Sequence, residues 1–106
     1  MANDLVNKTE NDFESIKHVD ENEVEFWYAR ELMTMLEYSK WGNFVKVIEK
    51  AKESCKNSNI NIFEHFADVG KTIKMPKGAE KVIDDFKLTR YACYLIAQNG
   101  DSRKKR

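Results

Sequence analysis

The sequence has no apolar run that approaches the roughly 20 residues needed to span a bilayer, and no signal peptide opens it. It has only two cysteines, Cys55 and Cys93, which lie far apart and lack CxxC spacing. Such thiols are typical of small core residues in a reducing compartment, with a disulfide or a nucleophile as the alternative. We therefore expect a cytoplasmic protein that does not contact a membrane.

Patterns that carry enzyme chemistry are also missing. The sequence contains no Gly-rich phosphate loop, no GxSxG elbow and no paired-carboxylate motif with context. The two histidines, His18 and His65, have no partner at zinc-ligand spacing, and Asp84-Asp85 is more simply an acidic pair at the end of a strand. These absences argue against an enzyme, and we expect no metal and no cofactor.

Net charge is absent too, but its distribution is uneven. Residues 1–40 carry four basic and ten acidic side chains, whereas residues 41–106 carry fourteen basic and eight acidic ones. Such a dipole can steer partners if the fold keeps the two halves apart. The length of 106 residues, 42% of them hydrophobic and 34% charged, fits one globular domain. We assign 1–12 to a polar lead-in and 13–106 to that domain.

Periodicity predicts an α+β fold. Alternation in EVEFWYA, after the turn DENE, predicts one β-hairpin, and alternate apolar positions around PKGAE, which holds the only proline, predict a second. Helical spacing predicts helices at 29–38, 40–57 and 90–99, with Ser39 and Thr89 as N-caps. We expect a small antiparallel sheet of two β-hairpins packed with three helices. The predicted core is Phe26, Tyr28, Leu32, Leu36, Trp41, Phe44, Ile48, Tyr91, Leu95 and Ile96.

The predicted helix 90–99 has almost no polar face. A helix that is apolar on all sides is normally covered on all sides. It is therefore either central to the domain or packed against something that the chain lacks, such as a further helix or a second copy. This makes Tyr94 and Ile96 candidates for protein contact, self-association included. Trp27 joins them, because it alternates with Phe26 and Tyr28 and is expected to face outward.

Basic residues concentrate in the second predicted hairpin. The segment KTIKMPKGAEK carries one acid and four lysines, Lys71, Lys74, Lys77 and Lys81. A strand–turn–strand of this kind suits a DNA groove or phosphate backbone, where lysines position a protein without reading bases. The alternative is an edge hairpin that lysines keep soluble. The terminal residues Arg103, Lys104 and Lys105 suit phosphate contact as well, although we favour a polar connection between helices.

Two blocks, EFWYARELMTMLEYSKWGNFVKVIEKAKESC and DFKLTRYACYLIAQNGDSRKK, resemble the N-terminal domain of the DNA-damage-inducible protein D family. That domain is similar to the Bro-N domain of viral Bro proteins and phage antirepressors. The resemblance covers roughly residues 13–106. It implies an α+β domain for DNA-directed or recombination-related regulation, often encoded near mobile elements such as prophages, with no catalytic residues. It also implies that this chain is the N-terminal part of a longer one.

The first functional hypothesis is a non-enzymatic regulatory module that acts in the DNA-damage response or in phage-related regulation, with DNA as its partner. The second is a protein-interaction module that modulates a repair, recombination or repressor protein without touching DNA. Salt dependence separates the two, because counterion release weakens DNA binding steeply as salt rises and leaves apolar protein contacts nearly unchanged.

Overall fold

The computed structural model describes residues 12–100. Within that range, four strands form one antiparallel sheet: β1 (His18–Val19), β2 (Glu25–Tyr28), β3 (Phe66–Lys74) and β4 (Glu80–Leu88). The helices are α1 (Ala29–Met35), α2 (Trp41–Asn57), α3 (Ile62–His65) and α4 (Arg90–Asn99), and residues 12–15 are helical as well. The strand order is β1-β2-β4-β3, so the two predicted hairpins lie side by side. The predicted α+β class is confirmed.

The first hairpin turns without a glycine. Asp20 organises the turn, because its Oδ1 accepts hydrogen bonds from Asn22 N at 2.8 Å and from Val24 N at 3.0 Å. Glu23 adopts a left-handed backbone conformation with φ of 63°. An aspartate that bonds the backbone two residues on is a standard way to build a turn. This local bonding compensates for strand pairing that involves only two residues of β1.

The orientation of β2 is the reverse of the prediction. Trp27 is fully buried: its ring stacks on Phe13 with centroids 4.4 Å apart, and its Nε1 donates to the Phe13 carbonyl at 2.9 Å. Phe26 and Tyr28 lie half-buried on the other sheet face, where His18 stacks on Phe26 at 5.4 Å. The expectation that Trp27 faces outward toward a partner is therefore wrong. Three consecutive aromatic residues make both strand faces apolar, so alternation could not select the buried one.

Strand β2 passes directly into α1, since Tyr28 ends the strand and Ala29 begins the helix. The carboxylate of Asp85 on β4, which is only 1% exposed, caps this junction: its Oδ1 accepts from Arg30 N at 3.0 Å. In addition, Arg30 Nε donates to the Asp84 carbonyl at 2.6 Å. Asp85 is thus a helix cap rather than a simple strand-end acid. The bonds fix α1 beside β4, in the position that a longer β2 would occupy.

Helices α2 and α4 pack against each other and cover the Trp27 side of the sheet. Both cysteines are buried there, and burial raises the pKa of the Cys93 thiol to about 12. Ile96 is fully buried in the same core, so the expectation that it contacts a partner is wrong. The core comprises Trp27, Ala29, Leu32, Tyr38, Phe44, Val47, Ile48, Ala51, Cys55, Phe66, Phe86, Leu88, Ala92, Cys93 and Ile96.

The start of α2 also differs from the prediction. Trp41 is the first residue of the helix and is only half-buried. The Arg30 guanidinium covers its ring, 4.0 Å from the ring centroid. The N-cap is Lys40 rather than Ser39, and no side chain caps this helix. Thr89 does cap α4 as predicted, since its Oγ1 accepts from a first-turn amide at 3.1 Å. In residues 12–100 no helix is long and apolar enough to cross a membrane.

Candidate nucleic-acid interface

The second hairpin extends beyond the core. Strands β3 and β4 pair over nine positions, from Phe66 opposite Leu88 to Lys74 opposite Glu80. Phe66 and Leu88 are buried at the base, whereas no residue from 67 to 84 is buried. We call residues 67–84 the arm. Its two strands are held mainly by their own ladder, so its side chains are available to a partner on both faces.

The tip of the arm closes in a tight turn. Pro76 is the first residue of a single 3₁₀ turn, where the fixed φ of proline fits. Lys77 and Gly78 both have positive φ values, 70° and 81°, and glycine reaches that region at little cost. Met75 N donates to the Ala79 carbonyl at 2.7 Å and closes the loop. The reversal predicted at the single proline is confirmed.

The four candidate lysines of the arm are all exposed. None of them forms an ion pair with any residue in the range 12–100. The pairing register puts Lys71 and Lys81 on one face of the ribbon and Lys74 on the other, while Lys77 occupies the tip. The sequence placed the four lysines on this hairpin correctly but treated them as one surface. The pairing register instead distributes them between the two faces and the tip.

The two faces of the arm differ in charge. On the first, Lys71 and Lys81 lie beside the half-buried side chains of Ile73 and Ile83, and no acid on this face is exposed. The second face carries one lysine and three exposed acids: Lys74, Asp68, Glu80 and Asp84. The arm therefore presents one basic face, continued by Lys77 at the tip, and one face of mixed charge.

The acidic loop between β1 and β2 lies at the edge of the sheet opposite to the arm. Strands β1 and β3 are the two outermost strands, so this loop and the edge of the arm belong to opposite sheet edges. Asp20, Glu21 and Glu23 are exposed in the loop. Within residues 12–100, the carboxylates of this loop are therefore kept away from the lysines of the arm.

A second surface feature is an open groove of about 550 Å³ between the 12–16 segment, α1 and α4. Tyr94, a predicted contact residue, lines this groove and is 53% exposed, and Phe13, Met35 and Leu36 supply much of the apolar wall. The other two predicted contact residues are buried in the core, as described above. The basic residues Arg103, Lys104 and Lys105 lie outside the described residues.

An ion cluster forms the polar end of the groove. Arg90 donates to both carboxylate oxygens of Glu25, at 2.8 and 2.9 Å, and to Glu14 at 2.9 Å. Lys17 adds a second cation 3.2 Å from Glu14. Hydrogen bonds from Arg90 lower the pKa of both glutamates, and the two carboxylates in turn raise the pKa of Arg90. The cluster joins the 12–16 segment to β2 and α4, so we regard it as structural.

Sequence reasoning missed two exposed groups. Phe63 in α3 is 85% exposed, the highest value among the large apolar side chains of residues 12–100. On the open sheet face, Lys87 Nζ lies 4.6 Å from the Phe26 ring centroid, beside the stacked His18 ring. The three consecutive aromatic residues Phe26, Trp27 and Tyr28 indicated an aromatic surface here, but the sequence does not show which of their rings lie on the open face. Within residues 12–100 no cluster of three or more His, Cys, Asp or Glu side chains could hold a metal ion.

Comparison with known proteins decides the family. The family model described as the N-terminal domain of the BRO family matches residues 15–106. The chain belongs to this family. DNA damage-inducible protein D of Escherichia coli (strain K12) is 40% identical over 99 residues, which are 93% of this chain and 36% of that relative. The chain thus spans about a third of the relative's length. No solved structure matches the chain.

The family assignment confirms the resemblance found in the two sequence blocks. The first block contains α1 and most of α2, and the second contains α4. The arm lies between these blocks, and the lysines that it carries are therefore a feature of this chain that the resemblance did not supply. Their interpretation depends on their exposure, charge and register.

Proposed function

We propose that this domain is a non-catalytic regulatory module of the DNA-damage response or of phage-related regulation, and that it contacts nucleic acid through the lysines of the arm. Membership in the BRO N-terminal domain family and the 40% identity to a DNA damage-inducible protein support the regulatory setting. The observation that carries the contact surface is the set of exposed lysines without ion pairs at Lys71, Lys74, Lys77 and Lys81.

The chemistry of these residues defines the kind of binding. A lysine ammonium is a point charge that attracts phosphate oxygens but cannot distinguish base edges in the bidentate way that arginine can. Binding through the arm is therefore sequence-tolerant and salt-sensitive. Four phosphate contacts are the upper limit, because Lys74 lies on the opposite face of the arm from Lys71 and Lys81. They correspond to a slope of about −3.6 in log K against log salt for duplex DNA, so affinity falls by at most roughly 100-fold between about 50 and 200 mM salt.

The test replaces Lys71, Lys74, Lys77 and Lys81 together by glutamine. A control replaces four exposed lysines on and before α2, which lowers the net charge by the same amount: Lys40, Lys46, Lys50 and Lys56. Binding to labelled single-stranded and duplex DNA is measured by fluorescence anisotropy at several salt concentrations. We expect the arm variant to lose most of its affinity and salt slope, and the control variant to keep most of both.

Two results would contradict this proposal. Equal loss in the two variants would show that overall charge, and not the arm, attracts DNA. Binding by the arm variant as tight as that of the parent would exclude the arm as the contact surface. Circular dichroism of both variants establishes that each is folded before binding is compared.

The second candidate function is protein interaction without DNA contact, and the groove beside Tyr94 favours it. Its walls are largely apolar, and Tyr94 is exposed although Cys93 and Ile96 on the same helix are buried. An exposed apolar groove of this kind is typical of a surface for protein contact. If the parent protein binds no DNA at low salt, protein interaction becomes the better-supported function. Sedimentation of Tyr94→Ser beside the parent tests whether the groove mediates self-association.

A further inference from the structure

The backbone of the arm offers a feature that is independent of its lysine side chains. Strand β3 is an outermost strand of the sheet and is nine residues long. Natural proteins usually keep edge strands short or cover them, because an edge with open N–H and C=O groups pairs with other chains. In residues 12–100 no other strand pairs with the outer side of β3.

Two hydrogen bonds determine which backbone groups of β3 point outward. Met75 N donates to the Ala79 carbonyl at the tip, and Thr89 N donates to the His65 carbonyl at 3.2 Å at the base. Both bonds join positions in the same register as the nine-residue ladder. Hydrogen-bonded and non-bonded pairs alternate along an antiparallel ladder. The odd-numbered residues of β3 therefore bond to β4, and the even-numbered residues point their backbone groups to the open edge.

Four arm residues supply this open edge: Asp68, Gly70, Thr72 and Lys74. No hydrogen bond within residues 12–100 engages their outward N–H and C=O groups. The spacing between successive outward residues is about 6.6 to 6.8 Å, which is the repeat of an added β-strand.

Charge indicates what kind of strand the edge accepts. An antiparallel second copy of β3 would offer Lys71 no carboxylate, because the β3 residues on that face are Ala67, Val69, Lys71 and Ile73. An extended segment with carboxylates at alternating positions can instead place them all on the face of Lys71 and Lys81, where both lysines are exposed, neither has an ion pair in the described chain, and no acid is exposed. We propose that the open edge of β3 binds an acidic, extended segment of a partner protein by adding it to the sheet as a fifth strand.

This interaction is distinct from the phosphate contact proposed above, because it requires the backbone edge of β3 in addition to the lysine side chains. Thr72→Pro separates the two. The Thr72 N–H points outward, so proline there removes an edge donor without removing a bond to β4, and proline is tolerated on edge strands for this reason. Thr72→Val is the matched control, since it also lacks the hydroxyl but retains the amide and the β-branched shape.

The probe is a labelled ten-residue peptide of alternating threonine and glutamate. A second peptide of the same sequence, N-methylated at every residue, keeps the charge but has no N–H group to donate to the edge. We expect the first peptide to bind the parent and Thr72→Val equally, and both Thr72→Pro and N-methylation to weaken binding at least tenfold. Amide exchange measured by NMR should slow on binding at Asp68, Gly70, Thr72 and Lys74 of the parent.

Several results would overturn this inference. Equal affinity for the two peptides, or unchanged binding by Thr72→Pro, would mean that the lysines attract carboxylates without strand addition. A peptide that fails to slow exchange at the four outward amides would exclude the edge as its site. Slow exchange at Lys71 and Ile73 in free Thr72→Pro is required as well, because it shows that the β3–β4 ladder is intact in that variant.

Discussion

Replacement of Trp27 by alanine is the sharpest test of the fold. Trp27 is completely buried, stacks on Phe13 at 4.4 Å, and satisfies the Phe13 carbonyl through its indole N–H. The Arg90 guanidinium lies 5.1 Å from its ring centroid and covers it from the side of α4. The substitution therefore removes a large side chain from the point where the 12–16 segment, β2 and α4 meet.

The expected cost follows from the size of the cavity. Truncation of a buried tryptophan to alanine destabilises proteins by about 3–5 kcal/mol, and a domain of this length has about 5–15 kcal/mol of total stability. Trp41→Ala provides an internal comparison, because Trp41 is only half-buried and the Arg30 guanidinium lies over its ring, 4.0 Å from the centroid. Partial burial corresponds to about 1–2 kcal/mol.

Urea unfolding followed by far-ultraviolet circular dichroism measures both variants without relying on either tryptophan as the probe. We expect Trp27→Ala to lose at least 1 kcal/mol more than Trp41→Ala. Trp27→Phe should recover most of the packing but not the hydrogen bond, and should still cost about 1 kcal/mol. Equal losses at the two tryptophans, or a larger loss at Trp41, would refute the assignment of the inner face of β2.

Two further predictions concern the ion cluster and the arm. Because the pKa values of Glu14 and Glu25 are lowered in the folded state, the two carboxylates stabilise the fold fully above pH 4.5, their ordinary pKa, and lose this effect as pH falls through the lower folded pKa values. The melting temperature of Glu25→Gln should therefore fall less than that of the parent as pH is lowered below 4.5. A drop of equal size in both proteins would contradict the role of the cluster. A methyl group on Gly70 would lie 2.7 Å from Val82 Cγ1, so Gly70→Ala should lower the melting temperature. In a Val82→Ala background, which lacks that Cγ1 atom, the same substitution should lower it by a clearly smaller amount. Additive losses would show that the two positions do not interact.

The sequence predicted those parts of the fold in which local chemistry is unambiguous. The lone proline and the nearby glycine mark the tip of the arm, the stripe of Phe44, Ile48 and Cys55 gives the buried face of α2, and Thr89 caps α4. The position of the candidate lysines followed from the same hairpin pattern. Each of these features depends on residues within a single helix or a single β-turn.

The errors occur where neighbours distant in sequence decide the outcome. Trp27 is buried because Phe13 and Arg90 cover it, and no periodicity in FWY contains that information. In α4 nearly every residue is apolar, so its phase depends on packing against α2, which buries Ile96 and leaves Tyr94 outside. The division of the lysines between two faces likewise depends on a register that pairs residues across the hairpin.

The early end of β2 has a consequence for the dynamics of the arm. Because the chain enters α1 at Ala29, the sheet is four-stranded only near its base, and beyond Lys87 the strand β4 pairs with β3 alone. A two-stranded ribbon without buried side chains opens at a lower free energy than the core that anchors it. Amide exchange should therefore become faster from Asp84 toward the tip, while the base exchanges only when the whole domain unfolds. A partner can bind the arm only while the β3–β4 ladder is formed, so the free energy needed to keep that ladder formed reduces the observed affinity.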